Sequence, residues 1–209
     1  MDHRQKAVKA FCEECVWARA MRTHFSQLFE SGEQLGRLLS EVANTFFHDL
    51  NIVLLEYVIL QQCKLTDPAS SGKDKDNLTS NYIVGLDWSD ETRLALTTAN
   101  AELMVFRPKI DDARRKLIVH SDLRARLELL SLGSFTEMQE QAFWAALQEF
   151  INIAHGEAFG GPFPLDASMP DGDALSLVHS LREAVDYDDL VKSEDGFLTR
   201  RIDKMRYRS

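Results

Sequence analysis

Over residues 107–126 the chain gathers seven cations (Arg107, Lys109, Arg114, Arg115, Lys116, Arg124 and Arg126) against three anions (Asp111, Asp112 and Asp122), and His120 stands among them. An imidazole titrates near neutral pH and can take or give a proton. A guanidinium is a planar fork that keeps its charge and matches phosphate oxygens. Arg114 and His120 therefore supply the minimum needed to cleave RNA without a metal. The 2′-hydroxyl attacks the adjacent phosphorus, the histidine moves a proton, and the arginine stabilises the added negative charge. Arg115 and Lys116 stand beside them as further phosphate contacts. The same stretch also reads as an ordinary basic helix with solvated cations and a capping histidine. Residue chemistry alone leaves both readings open.

Other candidate groups are weaker. Cys12-Glu13-Glu14-Cys15 is a C-x-x-C, but Cys63 is the only further cysteine, so a four-ligand zinc site is not assembled from thiols. The strand–helix setting of a redox pair is missing too. Two helix residues one turn apart are the expected state. His48, His155 and His179 read as buried histidines, each satisfied by a hydrogen bond, because no HExxH-type spacing accompanies them. Neither a metal nor a cofactor is expected.

Helices must position these groups. Apolar residues at Val8, Phe11, Val16, Met21, Phe25 and Leu28 have helical spacing over about 4–30, ended by Gly32. A long helix follows over 34–64. It is apolar on most faces after Phe46, which predicts a buried spine. Pro68 closes that region, since the residue before a proline is pushed out of the α conformation. Residues 69–77 are small and polar and read as a loop, and 78–86 as a short helix. Ser89 or Asp90 caps a helix over 91–106, and Pro108 breaks it or opens the next, which carries 111–120. Ser134-x-x-Glu137 predicts a capping box for a helix running to Phe159, stopped by Gly160-Gly161-Pro162. A last helix starts at Asp171 or Asp173 and passes through Leu177, Val178, Leu181 and Val185. The expected organisation is an N-terminal helical segment (1–33), a helical domain (34–192) and a basic tail (193–209). No repeat or strand pattern appears.

Bulk properties agree. Hydrophobic residues make up 44% and charged ones 27% of 209 residues, a globular balance, and 10 Gly with 5 Pro are too few for a turn-rich β fold. The net charge of −9 rules out a chain that coats nucleic acid by bulk attraction, so any such contact must use a local basic island. A second island lies at Arg200, Arg201, Lys204, Arg206 and Arg208, while 166–195 is rich in acid. Three cysteines and a polar opening helix lead to the expectation of a reducing cytoplasm. The run 46–60 contains His48, Asp49, Asn51 and Glu56 and is short for a span, so no membrane association is expected.

Arg114 to Asp122 resembles the R-x(4–6)-H signature of HEPN domains, often seen as A-R-N-K-x-x-A-H-x-D. Arg114 falls at the motif arginine, His120 at the histidine and Asp122 at the supporting acid. Phe46-Phe47-His48-Asp49-Leu50, the run from Leu60 to Pro68, Asn77-Leu78-Thr79, Phe150 to His155 and Pro162 to Ala167 resemble the AbiU-like branch, linked to phage abortive infection. The likeness covers about 40–190.

It implies an all-α, HEPN-type helical bundle with long core helices, a homodimer, and a metal-independent endoribonuclease of an abortive-infection or toxin–antitoxin type defence system. RNA is then the substrate, and an antitoxin or defence-system protein a further partner. The alternative is a non-catalytic HEPN dimer that binds RNA or a partner protein. On a regular helix His120 lies about 120–140° round from Arg114 and Arg115, so one helix does not converge the pair. Arg114 of one chain facing His120 of another would. The sequence departs from the usual motif at Arg115, where Asn is common.

Overall fold

The structure is a computed structural model that describes residues 1–72, 75–114, 135–166 and 172–193. Six α-helices and no strand occur among the described residues: α1 His3–Phe29, α2 Glu33–Leu65, α3 Ser80–Val84, α4 Asp90–Ala113, α5 Glu137–Phe159 and α6 Ala174–Ser193. An isolated bridge, Ser70 to Asp76, pinches the loop after α2. No helix among the described residues is long and apolar enough to cross a membrane. The contacts divide into two compact units, Met1–Arg22 with Val53–Ser168, and Thr23–Ile52 with Met169–Ser209.

The first unit carries the main core. Val8, Phe11, Cys12, Cys15 and Ala18 of α1 recur every three or four residues and are buried. They share the core with Leu96, Leu103, Phe106 and Ile110 of α4 and with Phe143, Leu147, Phe150 and Ile151 of α5. Phe11 meets Phe150 edge-on at 5.8 Å, and Phe106 meets Phe143 at 5.2 Å. Cys12 and Cys15 are thus core residues one helical turn apart. Burial pushes the Cys12 thiol up to about 12, with Glu13 adding to the rise, and pushes Cys15 well above its ordinary value.

Local signals set the ends. Ser89 Oγ accepts from the Thr92 N–H and caps α4. Gly160 closes α5 at φ 85°, a left-handed conformation that suits glycine, with its N–H donating to the Gly156 carbonyl at 2.9 Å. The cap of α5 differs from expectation. Thr136 and Gln139 form the capping box, and the helix begins at Glu137. The pattern Thr136-x-x-Gln139 satisfies the same chemical rule two residues further on, and Ser134 lies outside the described residues.

Pro108 neither ends α4 nor starts a new helix: α4 runs unbroken from Asp90 to Ala113. A proline inside a helix removes one backbone hydrogen bond and costs about 3 kcal/mol. Here the residues around it are fixed from outside. Phe106 and Ile110 are buried, and Arg107 is anchored to the end of α2.

In the second unit, Phe25 packs on Phe29 at 5.6 Å, and Leu28, Leu35, Leu39, Phe47 and Val178 are buried. Gly32 turns the chain between α1 and α2 at φ 98°. Gln27 Nε2 donates to Asp173 at 3.1 Å. α2 carries a break at Ala43, where φ is −161° and ψ 71°. The stretch 46–60 is not the buried spine its composition predicts. Phe47 and Val58 are buried, but Phe46, Ile52, Val53 and Leu55 are exposed. Apolarity on all faces says which faces can be buried, not which neighbours exist.

Candidate functional site

The last described turn of α4 carries Arg114, the one motif residue within the described part of the chain. His120, Arg115, Lys116 and Asp122 lie outside the described residues; of the helix expected over 111–120, residues 111–113 belong to α4 and 115–120 lie outside the described residues.

Arg114 belongs to a polar row on α4. Asn100, Arg107, Asp111 and Arg114 are spaced by seven, four and three residues, which places all four within about 60° of one another round the helix. This row lies beside the buried row of Leu96, Leu103 and Ile110. It faces the carboxyl end of α2 and α3. Asn100 Nδ2 donates to Asn81 Oδ1 at 2.9 Å, and Asn81 Nδ2 donates to the carbonyls of Thr66 and Asp67 at 3.3 and 2.9 Å. The end of α2 thereby finds partners for carbonyls that no further turn of helix can satisfy.

Arg107 completes that end. Its Nη1 donates to the Cys63 carbonyl at 2.6 Å and to Thr66 Oγ1 at 3.1 Å; its Nη2 donates to Asp67 at 2.7 Å and Asp111 at 3.4 Å. Burial opposes its charge, but the hydrogen bond to Asp67 and the attraction of Cys63, Asp67 and Asp111 outweigh it, and its pKa rises. A cation at the carboxyl end of a helix is also favoured by the helix dipole. Arg107 was counted in the basic island, yet it is spent on the fold and is only 13% exposed.

Asp67 ties Arg107 to Arg114. Arg114 Nη1 and Nη2 donate to Asp67 Oδ1 and Oδ2 at 2.7 and 3.1 Å, a two-pronged ion pair. Asp67 Oδ1 also accepts from Arg107. Arg114 is the more open arginine, with its side chain 28% exposed. Beside this cluster lies a cleft of about 420 Å³ lined by Thr66, Asn81, Met104, Arg107, Pro108 and Asp111. Burial pushes the Cys63 thiol up to about 11, although Arg107 and Arg114 pull it down, so it is not a ready nucleophile near neutral pH.

Arg114 stands out in the sequence by its motif, whereas no motif assigns a role to Asp67, Asn81 or Asn100. In the sequence Asp67 is simply the residue before Pro68, where the helix closes. The spacing 100, 107, 111, 114 was a usable signal, hidden by the expectation that Pro108 divides the helix.

The other candidates resolve into structural roles. His155 Nδ1 donates to the Gly161 carbonyl at 2.6 Å, and its ring packs against Phe159 and Phe163 at 4.8 and 5.2 Å. It locks the turn after α5, as a satisfied histidine should. His48 and His179 are exposed rather than buried. Among the described residues no group of three or more His, Cys, Asp or Glu side chains is placed to hold a metal ion.

No curated protein and no solved structure matches the chain. The family model HEPN AbiU2, described as AbiU2, matches residues 1–177. That match takes in the whole of α1 to α5 and the segment joining Arg114 to His120. A match over that much of an all-helical chain places it in the HEPN AbiU2 family.

Proposed function

We propose that the chain is a metal-independent endoribonuclease of an abortive-infection or toxin–antitoxin type defence system, with Arg114 and His120 acting on one scissile phosphate. The observation that supports it best is the state of Arg114. In a HEPN AbiU2 chain, the arginine at the motif position is partly open and held in a fixed orientation by a carboxylate. A phosphate-binding group gains most when it is oriented before the substrate arrives.

In this reading the 2′-oxygen forms a new bond to phosphorus and the 5′-oxygen leaves. His120 handles the proton of the attacking or leaving oxygen, and Arg114 stabilises the charge on the phosphoryl oxygens. Arg115 and Lys116 hold neighbouring phosphates, and Asp122 supports His120. Since a regular helix through 114–120 would set Arg114 and His120 about 120° apart, the proposed working site is composite and the active species a two-fold homodimer. RNA and a second copy of the chain are the partners, and an antitoxin or defence protein would be the regulator.

The test is cleavage of RNA by purified protein, with and without chelator, followed by mapping of the ends. Upstream ends should carry cyclic phosphate or 3′-phosphate, a chelator should not inhibit, and a 2′-deoxy nucleotide at the cut should block it. Free 3′-hydroxyls with loss of activity in chelator would overturn the mechanism. RNA binding without cleavage would select a non-catalytic dimer.

A further inference from the structure

Asp67 and Arg107 have no place in the motif, yet they control the one motif residue the structure describes. The chain of contacts runs one way. The carboxyl end of α2 pins Arg107 through the Cys63 carbonyl and Thr66 Oγ1, at 2.6 and 3.1 Å. Arg107 pins Asp67 Oδ1 at 2.7 Å. Asp67 then holds Arg114 by both of its oxygens. Arg107, Asn81 and the backbone N–H groups of Thr66 and Asp67 already serve the end of α2, and Arg114 donates only to the Asp67 side chain there. What the pairing does accomplish is to fix the plane of a guanidinium that is otherwise at the end of a long, rotamer-rich side chain.

The fork leaves donors over. A guanidinium carries five N–H groups, and the pair with Asp67 uses one on each Nη. Among the described residues nothing takes the Nε–H or the outward N–H on each Nη, which are enough for a second two-pronged contact along the Nε edge. A phosphate can therefore be bound without displacing Asp67. Arg107, Arg114, Asp67 and Asp111 are together formally neutral. Arg114 thus offers directed donors rather than a bulk positive field.

We propose that Asp67, braced by Arg107, is the positioning residue that aims Arg114 at the scissile phosphate; this rests on the reading that Arg114 acts in RNA cleavage. It predicts an unusual kinetic split. Asp67→Asn removes a negative charge near the RNA path, so KM should hold or fall. It also loosens Arg114, so kcat should fall by roughly 10–100-fold, the scale of a misplaced catalytic contact. A residue that merely supports folding would not tighten binding while slowing the reaction.

The experiment measures kcat and KM on a single-stranded RNA for the full chain, Asp67→Asn, Arg114→Ala and the double variant, with His120→Ala as the control. Expected are a lower kcat without a higher KM in Asp67→Asn, and no further loss when Asp67→Asn is added to Arg114→Ala. An Asp67→Asn enzyme as fast as the parent, or faster, would overturn the proposal, and so would additive losses in the double variant. If Asp67→Asn does not fold, Arg114→Lys takes its place. It keeps the charge but not the fork and should show the same drop in kcat, whereas parental kcat would overturn the idea. A parent chain that cleaves no RNA defeats the ribonuclease reading and this inference together; a parent that cleaves through His120 while Asp67→Asn is unimpaired defeats this inference alone.

Discussion

Glu140 and Asp67 each take a two-pronged arginine, and they end in different states. Glu140 of α5 accepts from Arg22 Nε and Nη2 of α1 at 2.6 and 2.8 Å, from Gln62 Nε2 of α2 at 3.2 Å, and from the Trp144 indole at 3.4 Å. Its side chain is 8% exposed and that of Arg22 14%. Three helices close round it. Asp67 instead takes two arginines from one helix, and one of them, Arg114, is 28% exposed. The Glu140 cluster is filled with donors from every side, whereas the Asp67 cluster ends in a cation with donors left over and opens beside a cleft. A sealed pair fixes helices. An open pair fixes a group that can act on something else.

The largest expected effect lies on the sealed side. Glu140→Ala takes the shared acceptor from Arg22, Gln62 and Trp144 in a buried place. Unfolding in denaturant should show a loss of about 3–5 kcal/mol, the usual cost of removing one partner from a buried charge pair. Asp67→Ala should cost less, about 1–3 kcal/mol, because Arg107 keeps its contacts to Cys63 and Thr66 and the site is partly hydrated. Equal losses at the two positions would erase the distinction between the clusters.

A smaller effect sharpens the contrast through pH. Burial holds the Cys12 thiol at about 12 and the Cys63 thiol at about 11, against an ordinary 9.0. The folded chain therefore keeps these protons after the unfolded chain has begun to lose them. Stability from this source is complete below about pH 9 and drains away as pH climbs toward 11–12. The drop should be about 1 kcal/mol per thiol at pH 10. Denaturant midpoints at pH 8 and 10 measure it, and Cys12→Ala should flatten the difference; an unchanged slope would place that thiol in water.

Much of this was legible in the sequence. Apolar spacing located the helices, Ser89 and Gly160 marked two of their ends, and the R-x(5)-H string singled out Arg114. What was not legible depended on distance along the chain or on tertiary context. Arg22 and Glu140 are 118 residues apart, and nothing in a single sequence pairs them. Pro108 looked like a break because propensity is local, while the anchors that carry α4 past it are tertiary. Asp67 looked like punctuation because its partners lie 40 and 47 residues away. Phe46, Ile52, Val53 and Leu55 looked buried because composition cannot say what stands opposite a helix face.

The most direct measurement is Arg114→Ala, followed in unfolding and in RNA cleavage on the same preparation. Arg114 is the open member of its pair and, among the described residues, donates to the Asp67 carboxylate and to no helix carbonyl. Its loss should therefore cost under about 1 kcal/mol of stability, while cleavage per folded molecule falls by roughly a hundred- to a thousandfold. A variant that loses several kcal/mol yet cuts RNA at the parental rate once folded would show Arg114 to be a structural staple like Arg22, and would contradict the account.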